Sequence, residues 1–272
     1  MQGRGIRQDR LWLLAGTGEG PPLAAALARI GWRVTVSVVT PAAASAYAGL
    51  DLEGIRVGAL AGPEAIRCEL LGDGPYRWVV DATHPFAVRI STDLQRTCAA
   101  LKQPLIRLER PIEQGDQVQW LPDLGELHRL DLRGRHLLLA IGGRHLSVAH
   151  DAARKAGAEV FARCLPSADG LRPALAAGLP GGRLAVLRPL QGDTPGAMER
   201  ALCRRWRISH VLCRQSGGVT EQLWRRLARE LDLQLLLLRR PSPPQGLELV
   251  RDEEMLLQRV TTPVNVDEAH HD

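Results

Sequence analysis

The chain has 272 residues, 45% of them apolar, and a formal net charge of +5. That length points to two domains, each large enough for its own core. No apolar run reaches the ~18 residues that a membrane span needs, so a membrane is not an expected partner. Residues 1–10 carry charge without the apolar core of a signal peptide, and the expected location is the cytoplasm. Five dispersed cysteines without a Cys-x-x-Cys pair argue against a disulfide framework or a zinc site and suit small buried hydrophobes.

Strands are expected near 11–15, 33–39, 55–58, 77–81 and 105–108, with helices near 21–30, 63–71 and 87–102. Residues 41–52 read as loop or irregular helix, residues 111–123 as a polar connection, and residues 124–132 as a short helix at the boundary. The plan then repeats. Strands are expected near 136–141, 159–164, 183–188, 209–213 and 233–239, and helices near 145–156, 170–177, 194–206 and 219–231. A last helix over 252–260 packs back on a domain. Alternating strands and helices predict an α/β protein: two Rossmann-like parallel-sheet domains facing a central cleft. The expected division is 1–123 for an N-terminal domain with a glycine-rich cofactor turn and 124–260 for a C-terminal α/β domain completing the substrate cleft. A frayed tail, 261–272, follows.

The first strand runs into Gly16-Thr17-Gly18-Glu19-Gly20, then Pro21-Pro22 and an alanine-rich helix closed by Gly31. This order is that of a nucleotide-binding βαβ unit. Glycines let backbone approach a pyrophosphate, and a helix N-terminus supplies N–H groups and a favourable dipole. Pro21 stands where the last glycine of the usual G-x-G-x-x-G fingerprint would be, so a structural glycine turn is the competing explanation. The second strand ends Ser37-Val38-Val39-Thr40-Pro41, without the carboxylate that holds the 2′-hydroxyl in NAD-specific domains. Hydroxyls there tolerate a 2′-phosphate, which favours NADPH as cofactor.

The fourth strand ends in Val79-Val80-Asp81-Ala82-Thr83-His84-Pro85-Phe86-Ala87. Ligands of open α/β sheets bind beyond the carboxyl ends of the strands, and an acid, a hydroxyl and an imidazole are costly to bury there without partners. The alternative is that Asp81 and Thr83 cap the following helix while His84 faces water. His128, His136, His145, His150 and His210 show no metal spacing, and no metal is expected.

Of 35 basic residues only Lys102 and Lys155 are lysines; 35 less two leaves 33 arginines. Arginine grips carboxylates and phosphates in bidentate fashion, although codon bias alone also enriches it. Arg204-Arg205, Arg225-Arg226 and Arg239-Arg240 are scattered without aromatic interleaving, so nucleic acid is not an expected partner. Oligomeric state is not legible.

Together Leu14-Ala15-Gly16-Thr17-Gly18-Glu19, Ser37-Val38-Val39-Thr40, the Asp81–Ala87 string and Pro104-Leu105-Ile106-Arg107-Leu108-Glu109-Arg110-Pro111 resemble the precorrin-6A reductase family of cobalamin biosynthesis. The match runs from about Leu11 to Pro241 and is strongest in the first half. It implies NADPH-dependent reduction of one double bond in a linked-ring tetrapyrrole, itself rich in acetate and propionate groups. Cofactor binding falls to Gly16, Thr17, Gly18, Glu19, Ser37, Thr40 and Thr83. Substrate binding falls to His84, Pro85, Phe86, Arg107, Arg110, Arg214, Ser216 and Gly217. Hydride comes from the nicotinamide, and the protein supplies position. His84 is the candidate proton donor, with Asp81 orienting it or meeting a pyrrole nitrogen, and solvent the alternative donor.

The second half departs from the family pattern. A Lys-Asp-Ser-Gly string and a following Glu-Lys pair appear here as Arg214-Gln215-Ser216-Gly217 and Glu221-Gln222, and a Gly-Pro-Phe turn appears as Arg188-Pro189-Leu190. A reductase or transferase acting on another anionic substrate, or a non-catalytic nucleotide-binding sensor of a tetrapyrrole pathway, are the competing functions. Binding without turnover would mark the sensor.

Overall fold

The protein is described from a computed structural model over residues 9–72, 75–113, 118–188 and 194–262. It divides into two compact units. The first contains β1 (Arg10–Ala15), α1 (Gly20–Arg29), β2 (Arg33–Val38), α2 (Pro41–Ala44), β3 (Gly54–Val57), α3 (Pro63–Gly72), β4 (Trp78–Ala82), α4 (Val88–Leu101) and β5 (Leu105–Leu108). The second contains β6 (Val118–Leu121), β7 (His136–Leu139), α5 (Leu146–Lys155), β8 (Glu159–Cys164), α6 (Ala168–Ala176), β9 (Leu184–Val186), α7 (Ala197–Arg205), β10 (His210–Arg214), α8 (Val219–Leu231) and β11 (Gln234–Leu238). The chain then returns to the first unit for β12 (Glu248–Val250) and α9 (Glu253–Thr261).

Each unit holds one six-stranded sheet, in the orders β12-β5-β4-β1-β2-β3 and β6-β11-β10-β7-β8-β9, and the pairings are parallel throughout. Strand order reverses between β1 and β4, and again between β7 and β10; these are the topological switch points of doubly wound sheets. The first sheet is covered on both faces. Leu23, Ala24 and Leu27 of α1 and Leu256 and Val260 of α9 pack on one side with Leu11, Leu13 and Val36. Ile66 and Leu70 of α3 and Leu94 and Cys98 of α4 pack on the other, against Trp12, Leu14 and Val79. Burial on both faces explains why β1 and most of β4 are continuous apolar runs. Leu27 is wholly buried, so truncation to alanine would cost ~2–5 kcal/mol. Four of the five cysteines are buried, and Cys68 is exposed.

The unit boundary differs from the expected one. The run 111–123 is not merely a connection: β6 lies within it and pairs with β11, Val118 opposite Leu235. Its Val-Gln-Trp-Leu alternation is that of a half-exposed edge strand, and the flanking polar residues mask it. At the other end β12 pairs with β5, Val250 opposite Leu108, so the first sheet takes its sixth strand from beyond the second unit, which is itself continuous over Ile112–Arg240. α9 packs on the first unit and ends at Thr261, while most of the expected tail, residues 263–272, lies outside the described residues. Residues 124–132 hold a 3₁₀ helix, Gly125–Arg129.

Candidate functional site

At the first switch point Leu14 lies opposite Asp81 and Ala15 opposite Ala82. The turn Gly16–Glu19 and the Thr83-His84 pair therefore leave neighbouring strands at the same edge of the sheet. The turn itself is open at two glycines: among the described residues, a Cβ added at Gly16 or Gly18 meets nothing within 4 Å. Packing within the protein does not explain glycine at either position. Gly20 differs, because a Cβ there would collide with the Tyr47 hydroxyl and lie 2.8 Å from the Ala15 Cβ. Gly20 thus performs the close helix packing that the last glycine of the usual fingerprint performs, which resolves the anomaly of Pro21.

The expectation of free amides at the α1 N-terminus fails. Gly20 N–H donates to the Thr17 carbonyl (3.1 Å) and Leu23 N–H to the Glu19 carbonyl (3.2 Å), while Pro21 and Pro22 between them have no N–H. The helix contributes its dipole, and any amide donors must come from residues 16–19. Thr17 Oγ1 donates to Glu19 Oε2 (2.9 Å) and accepts from Arg110 Nη2 (2.9 Å), and Arg110 also pairs with Glu19. Arg110, beyond β5, thereby reaches the β1–α1 turn. Burial lowers the Arg110 pKa, against the favourable charge of Glu19.

Asp81 is wholly buried and Arg107 is 2% exposed. Arg107 Nη1 donates to Asp81 Oδ2 (2.6 Å) and to Ser91 Oγ (2.7 Å), and its Nε donates to Glu109 Oε2 (2.8 Å). Burial pulls the guanidinium pKa down, but Asp81 and Glu109 outweigh it and leave it raised. The second oxygen of Asp81, Oδ1, accepts from Thr83 N–H (3.0 Å) and Thr83 Oγ1–H (2.6 Å). One buried cation thus fixes the carboxylate that fixes the Thr83 turn. Helix capping by this string is ruled out in its expected form: the N-cap of α4 is Ala87, with no side-chain cap.

His84 Nδ1 accepts from Phe86 N–H (3.2 Å), so the neutral ring carries its proton on Nε2. The Phe86 ring leans on the imidazole at 5.7 Å, and Pro85 between them is buried. At the end of β2, Ser37 Oγ accepts from Trp12 Nε1 (2.8 Å), which makes it a buried strut. Thr40 Oγ1 accepts from Ala43 N–H (3.2 Å) as the N-cap of α2. No carboxylate lies between Ser37 and Thr40.

In the second unit Arg214 ends β10, and Gly142, beyond β7, would place a Cβ 3.6 Å from Arg214 Nη2. Ser216 is buried, and Gly217 adopts φ +65°. Gly217 N–H donates to Glu221 Oε2 (2.8 Å), and the buried Glu221 pairs with Arg225 (2.8 Å). Ser216-Gly217-Gly218 thus forms the turn that opens α8, with Glu221 reaching back as a capping acid. Gln222 donates to Glu113 Oε1 (2.8 Å). Of the Arg188-Pro189-Leu190 string, Pro189 and Leu190 lie outside the described residues.

Sequence reasoning missed Ser91, which carries no local signal, and Arg163, which does. A lone arginine inside Val160-Phe161-Ala162-Arg163-Cys164 is a charge in an apolar strand. No helix among the described residues is long and apolar enough to cross a membrane.

Comparison with known proteins agrees with this geometry. The family model for precorrin-6x reductase, CbiJ/CobK, matches residues 10–261. A cobalt-precorrin-6A reductase of Synechocystis sp. is 33% identical over 242 residues, 87% of this chain and 90% of that protein. A precorrin-6A reductase of Rhodobacter capsulatus is 30% identical, over 86% and 89% of the two chains. A solved structure of CobK precorrin-6A reductase superposes with a TM-score of 0.74 at 27% identity, covering 93% of this chain and 96% of that one. The chain belongs to the precorrin-6A reductase family of cobalamin biosynthesis.

Proposed function

We propose that this protein reduces one double bond of a precorrin-6A-type tetrapyrrole, giving the precorrin-6B level, with NADPH as the hydride source. The observation that carries the proposal is the meeting, at one switch point, of an open glycine turn and the Thr83-His84 pair. The residues fit a nicotinamide nucleotide. Gly16 and Gly18 leave room where a side chain would stand, and Thr17 offers a hydroxyl beside them. Glu19 holds Arg110 near the turn, and Thr83, fixed by Asp81, leaves the neighbouring strand at the same edge. The β2 end, with Ser37 and Thr40 and no carboxylate, suits a 2′-phosphate better than a carboxylate would.

When bound, the nucleotide supplies a hydride; the chain's own residues supply orientation. His84, with its tautomer set by Phe86 N–H, presents Nε2–H as a hydrogen-bond donor to the tetrapyrrole. That role is positional, and solvent delivers the proton. Asp81 and Arg107 act at one remove, holding Thr83 and His84 in place. Arg110, Pro85 and Phe86 complete the proposed substrate contacts of the first unit; Arg214, Ser216 and Gly217 of the second are substrate contacts that the family resemblance implies.

The test is anaerobic incubation with precorrin-6A and with cobalt-precorrin-6A, each with NADPH or NADH, followed optically. Turnover with NADPH on either tetrapyrrole is expected. Binding of both ligands without spectral change would refute the reductase assignment and favour a sensor.

A further inference from the structure

Ser91 lies in the first turns of α4, on the buried face that also carries Leu94 and Cys98, and is 1% exposed. An alanine there would favour the helix more and bury no polar atom. The hydroxyl is therefore explained by what it bonds. Arg107 Nη1 carries two N–H groups; one goes to Asp81 Oδ2 (2.6 Å) and the other to Ser91 Oγ (2.7 Å). A guanidinium can only donate, so the Ser91 hydroxyl accepts from it and turns its own hydrogen to the Ala87 carbonyl (3.4 Å). The Ser91 N–H closes on the same carbonyl (3.4 Å).

Ala87 is the N-cap of α4 and makes no side-chain cap bond. Alanine is among the poorest caps, so local chemistry does not hold this end of the helix in place. Ala87 is also the last residue of the turn His84-Pro85-Phe86-Ala87. Its N–H donates to the His84 carbonyl (2.7 Å), and Pro85 presets the second position of the turn. Within the turn Phe86 N–H donates to His84 Nδ1 (3.2 Å). Backbone groups of Phe86 and Ala87 thus fix the imidazole, and Ser91 fixes Ala87. One nitrogen of Arg107 secures both ends of the Thr83–Ala87 string. Through Asp81 it holds the N–H and hydroxyl of Thr83, and through Ser91 it holds the turn that carries His84.

We infer that Ser91 is a positioning residue for His84, serving the tetrapyrrole side of the site while Asp81 serves the nucleotide side. Being buried, Ser91 touches neither ligand. It acts by holding the Ala87 carbonyl, and with it the turn that aims His84 Nε2. That His84 meets the tetrapyrrole, and Thr83 the nucleotide, rests on the reductase proposal; the dependence of His84 on Ser91 does not.

The test follows the His84 Cε1–H signal by proton–carbon correlation NMR of the full chain, beside steady-state kinetics and an NADP⁺ titration. Ser91→Ala is expected to shift or broaden that signal. It should raise KM for precorrin-6A about three- to tenfold, up to the worth of one hydrogen bond, with kcat within about twofold. KM for NADPH and NADP⁺ affinity should stay unchanged. Added to His84→Ala, the same substitution should raise KM no further, because its route to the substrate is then gone. Ser91→Thr keeps the hydroxyl and should restore both KM and the signal. Thr97→Ala removes another buried hydroxyl from α4, one without a hydrogen bond among the described residues, and should leave both readouts unchanged. If Ser91→Ala loses its cooperative unfolding transition, Ser91→Cys, with its weaker donor and acceptor, carries the test in the same direction. An unmoved His84 signal in a folded variant overturns the positioning role. So does an equal rise of KM in the His84→Ala background, or a matching loss of NADPH affinity, since either marks a general loosening of the site. A moved signal without any change in KM upholds the role of Ser91 and strikes His84 from the substrate contacts. A moved signal in a protein that reduces neither precorrin-6A nor its cobalt form upholds it likewise, while sinking the reductase proposal.

Discussion

The two units share a strand order and differ in how they hold charge at the switch point. In the first, Arg107 is bonded to Asp81, Ser91 and Glu109, and Arg110 to Thr17 and Glu19. In the second, Arg163 has a buried Nε without a hydrogen bond among the described residues. One sheet edge commits its cations to fixing a turn; at the other, burial and the like charges of Arg144 and Arg163 bring the Arg214 pKa down to about 10. The same architecture therefore carries two different arrangements of charge, set by the residues grafted on it.

The largest expected effect breaks that contrast directly. Arg107→Met strands the buried Asp81 carboxylate and should cost ~3–5 kcal/mol of stability. Arg163→Met removes a poorly bonded cation in favour of an apolar side chain of similar length and should cost at least ~2 kcal/mol less. Denaturant unfolding of both variants measures the difference; equal losses would show that Arg163 is as structural as Arg107. Asp81→Leu with Arg107→Met should recover only part of the loss, because Glu109, the other carboxylate bonded to Arg107, stays behind.

Next in size is the glycine turn. Gly18→Val should weaken NADPH about a hundredfold, ~2.7 kcal/mol, and leave the unfolding midpoint in place, since the new Cβ meets no protein atom. Gly20→Val should do the reverse in kind, costing ~1–3 kcal/mol through overpacking against Tyr47. A calorimetric titration beside a melting curve separates the two. Normal NADPH binding by Gly18→Val would place the cofactor elsewhere.

Much of the first sheet was legible because its central strands β1 and β4 are buried on both faces and read as apolar runs followed by glycine or proline. β6 and β12 were not: four and three residues long, with burial broken by exposed positions, they offer too little periodicity to stand out. The Asp81–Ala87 string was visible as an oddity, but its cause was not. Arg107 is 26 residues from Asp81 and Ser91 is 16 from Arg107, and only folding brings them together. The same limit hid the role of Gly20, whose partner Tyr47 lies in a stretch read as irregular. Arg163 was readable in principle, because an arginine between alanine and cysteine in a buried strand violates the local pattern.

A smaller effect is expected at His84. His84→Ala should lower kcat/KM about tenfold, the worth of one hydrogen bond of ~1.4 kcal/mol, with the change mainly in KM. His84→Gln, which retains an N–H donor, should restore part of it. The rate should keep its pH profile in the alanine variant. A fall confined to kcat, together with loss of a limb of the profile near the imidazole range, would make His84 the proton donor and overturn the positional role.

The smallest expected effect tests whether the first edge accommodates the 2′-phosphate without a dedicated cation. Thr40 is exposed and caps α2 through Ala43 N–H. A glutamate there would stand near the proposed phosphate in water, where two unit charges at 4 Å interact by only ~1 kcal/mol. Thr40→Glu should therefore weaken NADPH about three- to tenfold while leaving NADH nearly unchanged, and the difference should shrink as salt is raised. Losing the cap is a separate cost, ~1 kcal/mol at most in so short and exposed a helix. Thr40→Asn, which can cap without a charge, controls for it. If Thr40→Glu weakens both nucleotides equally, the effect is the lost cap and the 2′-phosphate lies elsewhere. A preference for NADPH that disappears only in Thr40→Glu, and returns toward the natural value at high salt, locates the 2′-phosphate at the end of β2.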